Sequence, residues 1–222
     1  KVALDEAGDP IYGPRDNADL EKIARVGLPF WLAGGFASPE KVAEARAAGA
    51  AGVQTGTLFA LADESGLTQD LRSQLHAELD AGTLVVRNDP RASPTGFPFK
   101  VAQLPGTLSE EPVYQERERI CDLGYLRMPV EREDKSITYR CPSEPLTPYL
   151  RKGGTEEETV GRKCLCNALM ANIGLGQLRK DGYQEQPAIT LGQDFDSARE
   201  LAARYPGGWP AKAVVDWLLS GA

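Results

Sequence analysis

The sequence predicts an α/β fold in which short parallel strands alternate with helices, followed by a mostly helical and irregular C-terminal region. Three observations predict it. Between residues 17 and 82, helix-like and strand-like segments follow one another as helix, strand, helix, strand, helix, the order of parallel strands joined by crossovers. Two apolar runs each stop at a glycine-containing turn, "LPFWLA" at Gly34-Gly35 and "AGVQ" at "TGT". Beyond residue 82 the text turns polar and rich in proline, and four cysteines enter it. We therefore expect a boundary there, with residues 1–82 forming the α/β part and 83–222 a C-terminal extension.

The first helix is expected over "NADLEKIARV", residues 17–26, where Leu20, Ile23, Ala24 and Val26 fall near helical spacing and Asn17 or Asp19 can cap. "LPFWLA" reads as a buried strand. Ser38-Pro39 then opens a helix, serine as N-cap and proline at the first helical position, and Gly49 suits its end. "AGVQTG" is a second short buried strand. "TLFALADE" and "LTQDLRSQLHAELDAG" read as helices. In the extension, "TLVVRNDPRASPTGFPFKV" holds two strand-like runs around a proline-rich loop, and "SEEPVYQERERICDLGYL" is compatible with a helix. Residues 127–163 read as irregular and "CNALMANIGLG" as a short buried helix. "DFDSARELAARYP" and "WPAKAVVDWLLSGA" close the chain as two helices.

Composition excludes several classes of function. The 222 residues carry a net charge of −7, which argues against general affinity for nucleic acid or an anionic membrane surface. No apolar run approaches a membrane span and no signal-peptide core stands at the start, so a cytoplasmic protein is the expectation. "KVALDEAGDPIYGPRD" opens without methionine or cap, and we expect it to continue a longer chain.

The glycine turns carry the chemistry. Amides in a glycine-rich turn at a helix start point outward at an anion, and the missing side chain lets a phosphate come close. Two such turns, one helix apart, are what the last two loops of a (β/α)₈ barrel use to share one phosphate. Gly34 and Gly35 would give one set of amides, Gly56 and Thr57 the other. The alternative is that these glycines only relax tight turns.

The stretch "LAGGFASPEKVAEARAAGAAGVQTGTLFALADESG" resembles the last two βα units of the FMN-dependent nitronate monooxygenases, formerly 2-nitropropane dioxygenases. These are (β/α)₈ barrels related to flavin-dependent enoyl-thioester reductases. "TGFPFKV" is similar to the segment after that barrel, and "YRCPSEP" and "GRKCLCNALMANIGLGQ" to an extension in a longer branch of the family. The resemblance covers residues 10–105 well and the rest loosely. It implies that Gly34, Gly35, Gly56 and Thr57 bind the FMN phosphate, with Gln54 beside the cofactor, and that a small molecule is oxidised or reduced. It also implies a partner, either the N-terminal barrel half or another copy of the chain. The family's catalytic histidine belongs to that missing half. The only histidine here, His76, lies on the helix "LRSQLHAELDAG" and reads as an ordinary helix residue, so no catalytic residue is assigned.

Cys121, Cys141, Cys164 and Cys166 are spaced by 19, 22 and one intervening residues, unlike the paired arithmetic of common zinc sites. Four thiolates nevertheless suffice for zinc or an iron–sulfur cluster, in a region otherwise short of core. Packed, reduced cysteines are the alternative. Arg162 and Lys163 stand beside the last pair and are expected to lower its thiol pKa values. "ERER" reads as a solvated helix face, "RKGGTEEETVGRK" as a surface turn capped by Thr155, and Trp31, Trp209 and Trp217 as core. A non-catalytic interaction or metal-supported module remains the competing reading of the whole chain.

Overall fold

The computed structural model describes residues 3–6 and 10–220; the last two residues of the expected C-terminal helix segment lie outside them. Along the chain run α1 (Leu20–Ala24), β1 (Trp31–Ala33), α2 (Pro39–Ala47), β2 (Gly52–Gln54), α3 (Thr57–Ala60), α4 (Gln69–Ala81), β3 (Val86–Asp89) and β4 (Phe99–Ala102). There follow α5 (Glu111–Glu116), β5 (Met128–Glu131), β6 (Ile137–Arg140), α6 (Leu146–Arg151), α7 (Leu165–Asn172), α8 (Asp196–Arg204) and α9 (Ala211–Leu218). The fold is mixed α/β. It divides into two units, one of residues 11–84 and 191–222, the other of residues 1–10 and 85–190. The chain thus leaves the first unit close to the expected boundary. The last two helices, expected with the extension, belong instead to the unit of residues 11–84.

In that unit the local signals act as their chemistry dictates. The Asp19 carboxylate accepts the Lys22 amide at 3.1 Å and starts α1, and the Ser38 hydroxyl accepts the Lys41 amide at 3.2 Å and starts α2. Helix α4 buries Leu71, Leu75 and Leu79, one stripe at i, i+4, i+8. Against α4 packs α8, and α9 packs on α2 and α3. Ala213, Val214, Trp217 and Leu218 give α9 its buried face. Full burial of each large apolar side chain contributes roughly 1.5–3 kcal/mol, and Leu58, Leu61, Leu75, Leu201 and Trp209 are all below 2% exposed.

Strands β1 and β2 pair in parallel, Trp31 with Gly52, Leu32 with Val53 and Ala33 with Gln54. Each of the three sheets has two strands, so the described residues do not close a barrel. The expected burial of β1 is also corrected: Trp31 is 58% exposed, because a strand with one neighbour and an open outer edge keeps much of its surface in water. Trp209 and Trp217 are core residues as expected; Trp31 is not.

The other unit holds two antiparallel pairs, β3 with β4 and β5 with β6. Residues 127–163 are more regular than their composition suggests, since β5, β6 and α6 lie there. Among the described residues Lys135 is the one non-glycine at positive φ (65°), and it closes the β5–β6 hairpin. The interior gathers Leu108, Ala168 and Ala188, with Val113 packed against them. "ERER" is not a solvated helix face. Helix α5 ends at Glu116 and Arg117 is 6% exposed. Arg119 donates through Nη2 to the Pro142 carbonyl at 2.8 Å and through Nε to the Glu144 carbonyl at 3.1 Å. Arg162 likewise donates to the carbonyls of Ser93 at 2.6 Å and Arg91 at 3.0 Å. In a lobe with little sheet or helix, guanidinium groups satisfy backbone carbonyls that regular structure would otherwise pair. Among the described residues no helix is long and apolar enough to cross a membrane.

Candidate functional site

The parallel register decides where the two glycine turns fall. Since Ala33 stands opposite Gln54, Gly34-Gly35 and Thr55-Gly56-Thr57 leave the same end of the β1–β2 pair. Gly34 and Gly35 both take positive φ, 78° and 79°, a region that residues with a side chain enter only with strain. A Cβ placed on Gly34, Gly35 or Gly56 would meet nothing within 4 Å, so all three backbones are open to an approaching group. Gly56 is the N-cap of α3 and Thr57 its first residue. With four residues, α3 has little dipole to offer, and any attraction for an anion rests on the amides themselves.

So short a helix needs support from elsewhere. The Leu58 carbonyl lacks its usual intrahelical donor, because the Ala62 amide bonds Phe59 instead. Trp209 supplies the donor, its indole Nε1 reaching the Leu58 carbonyl at 2.9 Å. The Leu61 carbonyl takes the Nε2–H of His76, also at 2.9 Å. The two rings meet edge to face, centroids 4.9 Å apart. The Gly192 amide donates to the Thr57 hydroxyl at 2.8 Å, which leaves the Thr57 O–H proton for an acceptor of its own. Three groups from residues 192–209 and α4 thereby fix the start and end of α3. His76 is a structural residue.

Gln54 lies at the exposed end of β2 and lines a concavity of about 570 Å³ with Trp31, Gly52, Phe59, Val215 and Leu218. Gly52 packs closely there, since a Cβ would come 3.2 Å from the Trp31 ring and the ring would have to shift slightly. The open amides and the absent side chains fit a phosphate at Gly34, Gly35, Gly56 and Thr57. No residue of the cluster is a proton acceptor positioned for catalysis.

The four cysteines are free thiols, Cys141 and Cys164 buried and Cys121 and Cys166 half-buried. Burial pushes the Cys164 thiol up to about 12, and Cys141 is also raised, first by burial, with Cys121 and Cys166 among its electrostatic neighbours. At Cys164 burial outweighs any lowering by Arg162 and Lys163, whose side chains are turned to other partners. Arg162 holds carbonyls, and Lys163 stands over the Tyr114 ring at 4.7 Å. Among the described residues no three or more His, Cys, Asp or Glu groups are arranged to hold a metal, so Cys121, Cys141, Cys164 and Cys166 do not present a preformed ligand set. Thr155 does not cap its turn either. Its amide donates to the Glu158 carboxylate at 2.9 Å.

Sequence reasoning missed Trp209, Gly192 and the role of His76. The Trp209–Leu58 bond spans 151 positions and the Gly192–Thr57 bond 135, and no local pattern signals either. Comparison with protein-family models, with curated proteins and with solved structures returns no match for this chain.

Proposed function

We propose that residues 11–84 and 191–222 carry the phosphate-binding end of an FMN-dependent oxidoreductase resembling the nitronate monooxygenases. In this reading β1 and β2 are the last two strands of a (β/α)₈ barrel. The supporting observation is the register that brings Gly34-Gly35 and Gly56-Thr57 to one end of a parallel pair. Bound FMN would supply the redox chemistry. The chain's own residues do less: four amides would hold the phosphate, Gln54 would lie beside the cofactor, and Trp209 and His76 keep α3 in place. The remaining strands and the catalytic base come from an N-terminal barrel half or from another copy.

The test is a visible spectrum of the protein purified without dialysis, followed by titration with FMN. A flavin double band, or quenching of FMN fluorescence that Gly35→Val abolishes, supports the reading. Equal binding by wild type and Gly35→Val, or no quenching with FMN in large excess, refutes it. The 58% exposure of Trp31 favours a second reading, an interaction module that docks through the open β1 side without flavin. Under that reading Trp31→Ser abolishes self-association or partner capture and leaves no flavin effect to find.

A further inference from the structure

Where α5 gives way to loop, the unit of residues 1–10 and 85–190 buries more hydrogen-bonding atoms than it satisfies. Arg117, at the end of α5, is 6% exposed, and its guanidinium stands 5.7 Å from the Tyr114 ring. Its Nε and Nη1 have no hydrogen-bond partner within the protein. Glu185 is 2% exposed and the Arg117 charge acts on it, yet its Oε1 is likewise without a partner. The two groups attract each other, and these three atoms do not meet.

The side chains around Glu185 repeat the pattern. A tight turn carries it: the Arg179 amide donates to the Tyr183 carbonyl at 2.7 Å, and the Glu185 amide to the Gln177 carbonyl at 2.9 Å. Arg179 commits Nη1 and Nη2 to the Asp122 carboxylate at 2.9 and 2.7 Å, and its Nη2 is 3.9 Å from Glu185 Oε2. Asn167 of α7 donates from Nδ2 to Asp122 at 2.9 Å and reaches Glu185 Oε2 at 3.5 Å. Left over are Arg179 Nε, Asn167 Oδ1 and the Tyr183 hydroxyl, a group on which Glu185, Arg117 and Arg179 all act. Five residues thus hold six buried polar atoms without a protein partner. Native interiors contain few such atoms and each is costly, most of all on a charged group. Six on one set of interacting side chains mark a site.

We propose that this cluster is an internal hydration site, where ordered water accepts from Arg117 and donates to Glu185 and the Asn167 carbonyl, with Arg179 Nε and the Tyr183 hydroxyl as further partners. The leftover atoms choose the ligand. They include both donors and acceptors, and water is both. A cation would meet Arg117 and Arg179, and an anion would meet Asp122 and Glu185. A buried water typically makes about three hydrogen bonds, and a bridge through one is nearly as favourable as a direct bond. This water ties together the end of α5, the helix α7 and the turn of residues 177–185. The site is independent of the glycine turns and stands whether or not they bind flavin.

The experiment is a crystal structure of the whole chain at a resolution that shows ordered water, paired with oxygen-17 relaxation dispersion, which counts long-lived internal waters in solution. Two results together support the site. Water lies within hydrogen-bond distance of both Arg117 and Glu185, and the double variant Arg117→Leu/Glu185→Leu loses at least one long-lived water. That variant removes both charges at once, so neither is left buried alone. An Arg117–Glu185 ion pair in direct contact, an empty site, or an ion recognised by its anomalous scattering overturns the proposal. An unchanged count of long-lived waters in the double variant overturns it too. If the double variant fails to fold, the crystal structure decides alone.

Discussion

Replacing Trp209 with phenylalanine isolates one hydrogen bond from a large burial. Trp209 is 0% exposed, and its indole N–H is the donor for the Leu58 carbonyl at 2.9 Å. Phenylalanine keeps most of the ring's contacts but leaves that carbonyl buried without a partner, a loss of about 1–3 kcal/mol. The volume difference adds a small cavity beside His76, for which about 24 cal/mol per Å³ applies. We expect about 2–3 kcal/mol in all, against about 3–5 kcal/mol for Trp209→Ala, where the whole ring is removed. Urea unfolding followed by far-ultraviolet circular dichroism measures both. The ring contact adds a sharper test: Trp209→Phe and His76→Phe should be non-additive by about 0.5–1.5 kcal/mol, since both alter one edge-to-face pair and one short helix. A Trp209→Phe cost under about 0.5 kcal/mol would show that water reaches the Leu58 carbonyl and that α3 does not depend on its caps.

Further outcomes follow from the thiols, the buried acid and one crowded glycine. At pH 8, iodoacetamide should modify the half-exposed Cys121 and Cys166 and leave Cys164 untouched until the protein unfolds. A thiol pushed up to about 12 holds about three orders of magnitude less thiolate than an ordinary one. Peptide mass mapping reads this directly, and early labelling of Cys164 contradicts it. The same shift makes stability fall as pH rises from about 8.5 toward about 12, because the unfolded chain releases that proton first. Burial raises the Glu185 carboxyl, so the folded state favours its protonated form. Its stabilising share is therefore present at low pH and lost as pH climbs from the ordinary glutamate value of about 4.3 through the raised one. Glu185→Gln should gain on wild type over that interval, and parallel stability profiles would refute the assignment. A Cβ at position 154 would collide with the Tyr149 ring, so Gly154→Ala must displace a buried tyrosine and should cost about 1–3 kcal/mol in a thermal or urea melt.

What was legible in the sequence was local. Asp19, Ser38-Pro39 and the glycine after α2 act within four residues, and their elements form where the chemistry of capping puts them. The glycine turns were legible for the same reason, and so was their common end once two parallel strands were inferred. Burial was harder to read. "LPFWLA" carries the apolar run of an interior strand, yet exposure depends on which neighbours a strand has, and no stretch of six residues records that. Arg117, Arg119 and Arg162 misled in the opposite direction. Their charge suggests solvent, yet Arg117 is buried, and Arg119 and Arg162 donate to carbonyls 23 to 72 positions away. The hairpin of β5 and β6 hid behind the charges of "EREDKSITYR", where strand preference rests on pairing more than on residue type.

The interrupted unit also sets a timetable for synthesis. Residues 11–84 leave the ribosome before residues 85–190, yet the indole that caps α3 and the amide that meets Thr57 arrive only after those have been made. Until then Leu58, Leu61 and Leu75 have no α8 or α9 to cover them. At elongation rates of about 5–20 residues per second, that nascent segment waits for seconds with apolar surface uncovered. The intervening residues have that interval in which to fold by themselves. A release point engineered just after residue 190 should therefore yield an aggregation-prone N-terminal segment, one that holdase chaperones bind and the completed chain escapes.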